Sequence, residues 1–150
     1  MPRLSIQEIY MKVAYQFSEL SYATRRKVGS VIVKDGQIIS FGYNGTPKGF
    51  DNSCEFSNED KTLTTKKEVL HAESNAITKV AQSTIGCGGA TLYTTTSPCF
   101  DCSKLIIQSG IKKVYYTEGY RDMTGIDLLK KANIIVEQID FKTTNIDIND

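Results

Sequence analysis

No stretch of this chain approaches the roughly 20 consecutive apolar residues that a membrane span requires. Met1–Ser5 carries no basic region leading into an apolar stretch, so no secretory leader is expected. An excess of one charge is also missing: 18 Lys and Arg stand against 17 Asp and Glu, a net +1, which leaves no broad field to hold a polyanion or an anionic membrane. With 11 Gly, 3 Pro and 23% charged residues, the composition is neither disordered nor fibrous, and no internal repeat or low-complexity segment is present. What remains is 150 residues, 40% of them hydrophobic, enough to build one core in a single domain spanning 1–150. A reducing cytoplasmic setting is expected, where the four cysteines act as thiols or metal ligands rather than as a disulfide framework.

The chain alternates helix and strand signals. Ser5 and Glu8 form a capping box, and Ile6, Ile9, Tyr10, Val13, Ala14, Phe17 and Leu20 follow at helical spacing, predicting a helix from about Ser5 to Leu20 that buries that stripe. Val28–Lys34 and Gln37–Tyr43 are β-rich runs joined by Asp35-Gly36, a hairpin signal for antiparallel neighbours. From Asn44 to about Lys67 the chain reads as a long polar loop, of the kind that is functional or mobile. A helix over His71–Gln82, a strand over Ala90–Thr95, a helix opened by Pro98 and capped by Gly110, a strand from Lys112 to Tyr116, a helix from about Gly125 to Ala132 and a strand over Ile134–Ile139 complete the pattern. Helical crossovers make the last three strands parallel. The expected fold is α/β, a five-stranded mixed sheet flanked by helices, with a polar tail at about 141–150.

The chemistry concentrates in His71-Ala72-Glu73 and Pro98-Cys99-Phe100-Asp101-Cys102, the pattern H-x-E followed by P-C-x-x-C. It matches the zinc deaminase signature. Cys99 and Cys102 are three apart at a helix start, so both sulfurs fall on one face, where the helix dipole and a metal favour thiolates. His71 supplies the third ligand, and a tetrahedral zinc then keeps its fourth position for water. In mid-helix, residues two apart point about 200° away from each other, so His71 and Glu73 can share a centre only at a helix start. The N-terminus is therefore placed near His71, and an earlier start with Thr65 and Glu68 as capping box is rejected. Glu73 is the expected proton shuttle. Taken singly, a histidine near a helix is usually structural, and C-x-x-C can be a redox pair or half of a structural zinc site. Here the single histidine of the chain sits inside the combined motif. Cys54 and Cys87 read as ordinary loop thiols.

From about Ile6 to Val136 the chain resembles the deoxycytidylate deaminases of the cytidine deaminase superfamily, through Arg25-Arg26-Lys27-Val28-Gly29, Gly42-Tyr43-Asn44-Gly45-Thr46-Pro47-Lys48-Gly49, His71–Ile77 and Gln108–Val114. The resemblance implies a three-layer cytidine deaminase-like fold and hydrolysis of dCMP to dUMP and ammonia for dTMP supply. It implies zinc at His71, Cys99 and Cys102, catalysis by Glu73, and substrate contacts at Arg26 for the 5′-phosphate, Asn44 for the sugar, and Ala72, Ser97 and Tyr120. It further implies a homo-oligomer, favouring a hexamer, activated by dCTP and inhibited by dTTP as magnesium triphosphates, at a site including Lys27, Gly42, Tyr43, Asn44, Gly45 and Arg121. A glycine-rich turn exposing N–H groups would suit such phosphates. Some relatives hold a second, structural zinc with additional histidines; this chain has none to offer, so one zinc per subunit is expected.

A tRNA adenosine deaminase would share the zinc motif but must bind an RNA loop, and a net charge of +1 offers little for that. An enzyme for free cytidine has no need of the Arg25–Lys27 cluster. A noncatalytic zinc scaffold has no need of Glu73 beside an open metal position. Acceptance of dCTP as a second substrate stays open.

Overall fold

The computed structural model describes residues 3–120 and 122–140. The expected tail at 141–150 and the candidate Arg121 lie outside them. Helix α1 (Ile6–Ser18) starts at Ser5 because the capping box closes: Ser5 Oγ accepts the Glu8 N–H, and Glu8 Oε1 accepts the Ser5 N–H, both at 3.1 Å. Its buried face matches the expected stripe in part. Met11, Ala14 and Ser18 are inside and Tyr10, Val13 and Phe17 pack against the same cluster, while Ile6, Ile9 and Leu20 are exposed. The sheet beneath sets this face, since Met11 and Ala14 join Val31, Val33, Tyr93 and Tyr115 in one cluster, and the small Ser18, polar by any hydropathy count, is covered with them.

Strands β1 (Gly29–Lys34) and β2 (Gln37–Tyr43) form the expected antiparallel hairpin, turned by Asp35 and Gly36 at φ 51° and 74°, the two positive-φ positions of a type I′ turn. The segment over 44–67 is not a plain loop. It contains β3 (Glu55–Ser57) and β4 (Leu63–Thr65), paired antiparallel as a separate small sheet whose tip is held by Asn58, Asp60 and Thr62. Strands of three residues carry too little alternation to be read from sequence.

Helix α2 (Ala72–Ala81), β5 (Thr91–Thr96), α3 (Phe100–Ser109), β6 (Lys113–Glu118), α4 (Thr124–Lys131) and β7 (Ile135–Gln138) follow in the expected order. Helix α3 begins two residues later than Pro98: Cys99 is its N-cap, and Gly110 closes it in the left-handed conformation. The sheet runs β2-β1-β5-β6-β7, with β5 antiparallel to β1 and parallel to β6, and β7 parallel to β6. Alternation along the strands divides the core. Ile32, Leu92 and Val114 pack with Ala76, Ile106, Ile126 and Leu129 of α2, α3 and α4, whereas Val31, Tyr93 and Tyr115 pack with α1, giving the expected three layers. Cys54 and Cys87, expected as loop thiols, are both buried, Cys87 within the larger cluster, and burial raises both thiols above their ordinary range. No helix among the described residues is long and apolar enough to cross a membrane.

Candidate active site

Two helix beginnings create the site. His71 is the N-cap of α2, with extended backbone at φ −75° and ψ 160°, and its imidazole makes no capping bond. Cys99 is the N-cap of α3, and its Sγ accepts the Cys102 N–H at 3.4 Å. The positive ends of both helix dipoles therefore face the same small volume. His71 and Glu73 share it because His71 stands outside the helix and Glu73 in its first turn.

His71 Nδ1 lies 3.4 Å from Cys99 Sγ and 3.4 Å from Cys102 Sγ, and one donor atom from each of these residues falls within 4.8 Å of the others. A tetrahedral zinc, with bonds of about 2.3 Å to sulfur and about 2.05 Å to nitrogen, separates those donors by roughly 3.5 Å. The three residues fit zinc. The protein electrostatics agree: the Cys102 side chain and then His71, both hydrogen-bonded to Cys99, pull its thiol down to about 4, and hydrogen bonding to that thiolate raises the imidazole of His71. Cys102 is pushed the other way by the neighbouring Cys99 thiolate and by burial, and a divalent cation removes that penalty by deprotonating a coordinated thiol.

Glu73 is 3% exposed, and Thr94 Oγ1 of β5 donates to its Oε1 at 2.6 Å. Burial raises its carboxyl above the ordinary carboxylate range, with Thr94, His71 and Cys102 opposing the rise. A carboxyl group so placed can alternate between holding and releasing a proton beside the metal ligands.

A cavity of about 270 Å³ adjoins this centre, lined by His71, Ala72, Glu73, Thr96 and Cys99 together with Arg25, Arg26, Asn44, Glu55 and Tyr120. Of the expected substrate residues, Arg26, Asn44, Ala72 and Tyr120 line it. Arg26 pairs with Glu118 at 3.1 Å and lies over the Tyr120 ring at 5.0 Å. Ser97 is buried behind the wall, where its Oγ accepts the Tyr120 N–H at 2.9 Å. Arg25 enters the site from the basic cluster Arg25–Lys27 that the sequence already marked for a phosphate, whereas Thr94 and Glu55 were not foreseen; their partners are distant in sequence, and spacing carries no signal for them.

Two amides of the turn expected to offer N–H groups to phosphates are engaged within the fold. Asn44 N–H is donated to Val28 O at 3.2 Å and Gly45 N–H to Leu70 O at 3.1 Å. Gly42 is a glycine for packing: a side chain there would strike the Ala72 carbonyl and the Ala76 N–H of α2. Lys27 is exposed and Tyr43 half-buried beside this turn.

Residues 4–118 match the model of the cytidine and deoxycytidylate deaminase zinc-binding region. The chain is 36% identical to the deoxycytidylate deaminase of Enterobacteria phage T4 over 90% of each chain. It is 37% identical to the deoxycytidylate deaminase of Saccharomyces cerevisiae over 93% of this chain, spanning 46% of that longer protein. Among solved structures, the dCMP deaminase of cyanophage S-TIM5 in complex with dCMP and dUMP superposes with a TM-score of 0.85 at 47% identity, covering 93% of this chain and 100% of that one. With the donor set, the adjoining carboxylate and the sheet all in their expected places, the chain belongs to the family of cytidine and deoxycytidylate deaminases.

Proposed function

We propose that the chain is a zinc-dependent dCMP deaminase that converts dCMP and water to dUMP and ammonia, supplying dUMP for dTMP synthesis. The observation that carries this reading is the buried Glu73 beside the His71, Cys99 and Cys102 donors, lining the same cavity as Arg25 and Arg26. His71 Nδ1 and the two sulfurs would hold the zinc, which when bound makes a water acidic enough to lose its proton near neutral pH. Glu73 takes that proton, passes it to the pyrimidine ring nitrogen as the C4–O bond forms, and assists the exocyclic amine to leave as ammonia as the C4–N bond breaks. Thr94 holds one carboxylate oxygen of Glu73 during these transfers. Ala72 borders the pyrimidine, Asn44 and Tyr120 the sugar and base, with Ser97 holding the Tyr120 N–H from behind, and Arg26 exchanges Glu118 for the 5′-phosphate, a planar fork suited to that anion.

The reading extends to regulation by dCTP and dTTP with magnesium and to a hexamer. What supports it is Asn44, whose side chain bonds both Arg26 O and Val28 N–H and so links the 42–45 turn to the arginine segment of the cavity. Because the Asn44 and Gly45 amides are engaged, a triphosphate there would meet the Lys27 and Tyr43 side chains beside them. Ammonia release from dCMP by zinc-loaded protein, with magnesium and dCTP present, tests the reaction. Turnover of dCMP, abolished by dTTP, bears out the reading. Absence of turnover with zinc bound overturns it, and parallel arms with dCTP and with tRNA show whether either is the substrate instead.

A further inference from the structure

The stretch from Thr24 to Val28, which carries Arg25 and Arg26, lies between α1 and β1 and has no secondary structure of its own. Its main-chain groups must find partners elsewhere. They find two side chains. Glu55 Oε2 accepts both the Thr24 N–H and the Arg25 N–H at 2.9 Å. Asn44 Nδ2 donates to Arg26 O at 2.8 Å, and its Oδ1 accepts the Val28 N–H at 2.8 Å. One residue grips each end of the basic stretch, and both line the cavity.

Glu55 opens β3 and lies opposite Thr65 of β4, whose Oγ1 accepts from Arg25 Nη1 at 3.2 Å. The small hairpin thus holds Arg25 twice, once by its main chain and once by its side chain. A carboxylate this close to two arginines would ordinarily pair with one of them. Here one of its oxygens takes two amides instead, and among the described residues no carboxylate pairs with Arg25, whose guanidinium donates through Nη1 to Thr65 and has further N–H groups for an incoming anion.

We propose that Glu55 is the positioning residue for nucleotide phosphate recognition: it fixes the Thr24–Arg25 backbone so that the Arg25 and Arg26 side chains face the cavity. The inference rests on the dCMP reading above. It gives the β3–β4 hairpin a task, since that hairpin forms part of the substrate cavity while standing outside the main sheet, with Phe56 half exposed.

The test measures kcat and KM for dCMP, and the preference for dCMP over deoxycytidine, on zinc-loaded full-length protein. Glu55→Ala is expected to raise KM for dCMP roughly tenfold with kcat within about twofold, and to lower the preference by the same factor. Glu55→Gln, whose amide oxygen accepts the same two N–H groups, should bring KM back to within about threefold of wild type. In an Arg25→Ala, Arg26→Ala background, adding Glu55→Ala should change KM by less than about twofold, because the group it positions is gone. An unchanged KM in Glu55→Ala, equal losses on dCMP and deoxycytidine, or a Gln variant as impaired as the Ala variant overturns the proposal. If melting curves show that Glu55→Ala does not fold, Glu55→Asp, which keeps the charge but shortens the reach, carries the same expectation, and an unchanged KM there overturns it. A wild-type chain with no preference for dCMP over deoxycytidine overturns the functional reading itself, whereas a preference that survives Glu55→Ala overturns the role of Glu55 alone.

Discussion

Ser30 of β1 and Thr94 of β5 stand directly opposite one another, and the Ser30 hydroxyl donates to Thr94 Oγ1 at 3.0 Å. Thr94 is thereby steered toward Glu73, and three buried side chains form one line ending at the carboxylate. Replacing Glu73 by Gln keeps an oxygen to accept the Thr94 hydroxyl, so fold and zinc content should persist. The amide cannot take a proton. Turnover of dCMP should fall by a factor of about 10² to 10⁴ or more, read as ammonia release at matched zinc occupancy. Near-wild-type turnover would remove Glu73 from its role.

Metal analysis should give one zinc per chain, bound at His71, Cys99 and Cys102. Chelation should abolish turnover and lower the melting temperature by roughly 5 °C or more, because the first turns of α2 and α3 are joined through the metal. Re-addition of zinc should restore both. A second tightly bound zinc per chain would contradict the donor count.

Gly125, in the first turn of α4, lies against the Pro98 carbonyl and the main chain of Cys99, where any side chain would collide. Gly125→Ala should cost about 1–3 kcal/mol in urea unfolding. It should also weaken zinc binding in a chelator competition, since the displaced backbone carries a ligand. Unchanged values in both measurements would mean that α4 moves aside freely.

Tyr93 is 4% exposed, stacked on Tyr115 at 4.9 Å and tilted against Tyr10 at 5.2 Å, and burial raises its phenol above the ordinary 10.0. A folded-state value above the unfolded one means that the native state holds its proton longer. Its contribution is fully present below pH 10 and is lost as pH rises beyond that toward the native value. Tyr93→Phe keeps the stacked ring and should flatten the alkaline loss, seen as denaturant midpoints between about pH 8 and about pH 11. A variant that loses stability above pH 10 as steeply as wild type would locate the effect elsewhere.

Features decided within a few residues were legible in the sequence: Ser5 with Glu8, Asp35 with Gly36, and the placement of His71 at a helix start so that Glu73 could share its centre. The zinc donors were legible because spacing and residue type together leave few alternatives. Features decided across the fold were not. The face that α1 buries depends on the sheet under it, which covers Ser18 and leaves Ile9 exposed. Glu55 finds its amides 30 and 31 positions away, and the collision that keeps position 125 a glycine lies at Pro98 and Cys99. The β3–β4 hairpin escaped notice because its polar triplets have no buried face to betray them.

The helices that carry the zinc donors share one packed cluster: Ala76 and Val80 of α2, Ile106 of α3, Ile126 and Leu129 of α4 and Leu92 of β5. Coordination tolerates donor displacements of only about 0.2 Å, far less than a protein core tolerates before it melts. The metal centre therefore works as a strain gauge for the interior. A cavity cut at Ile106 would register first in the ligand field of a cobalt-substituted protein, while the far-ultraviolet spectrum still read as native.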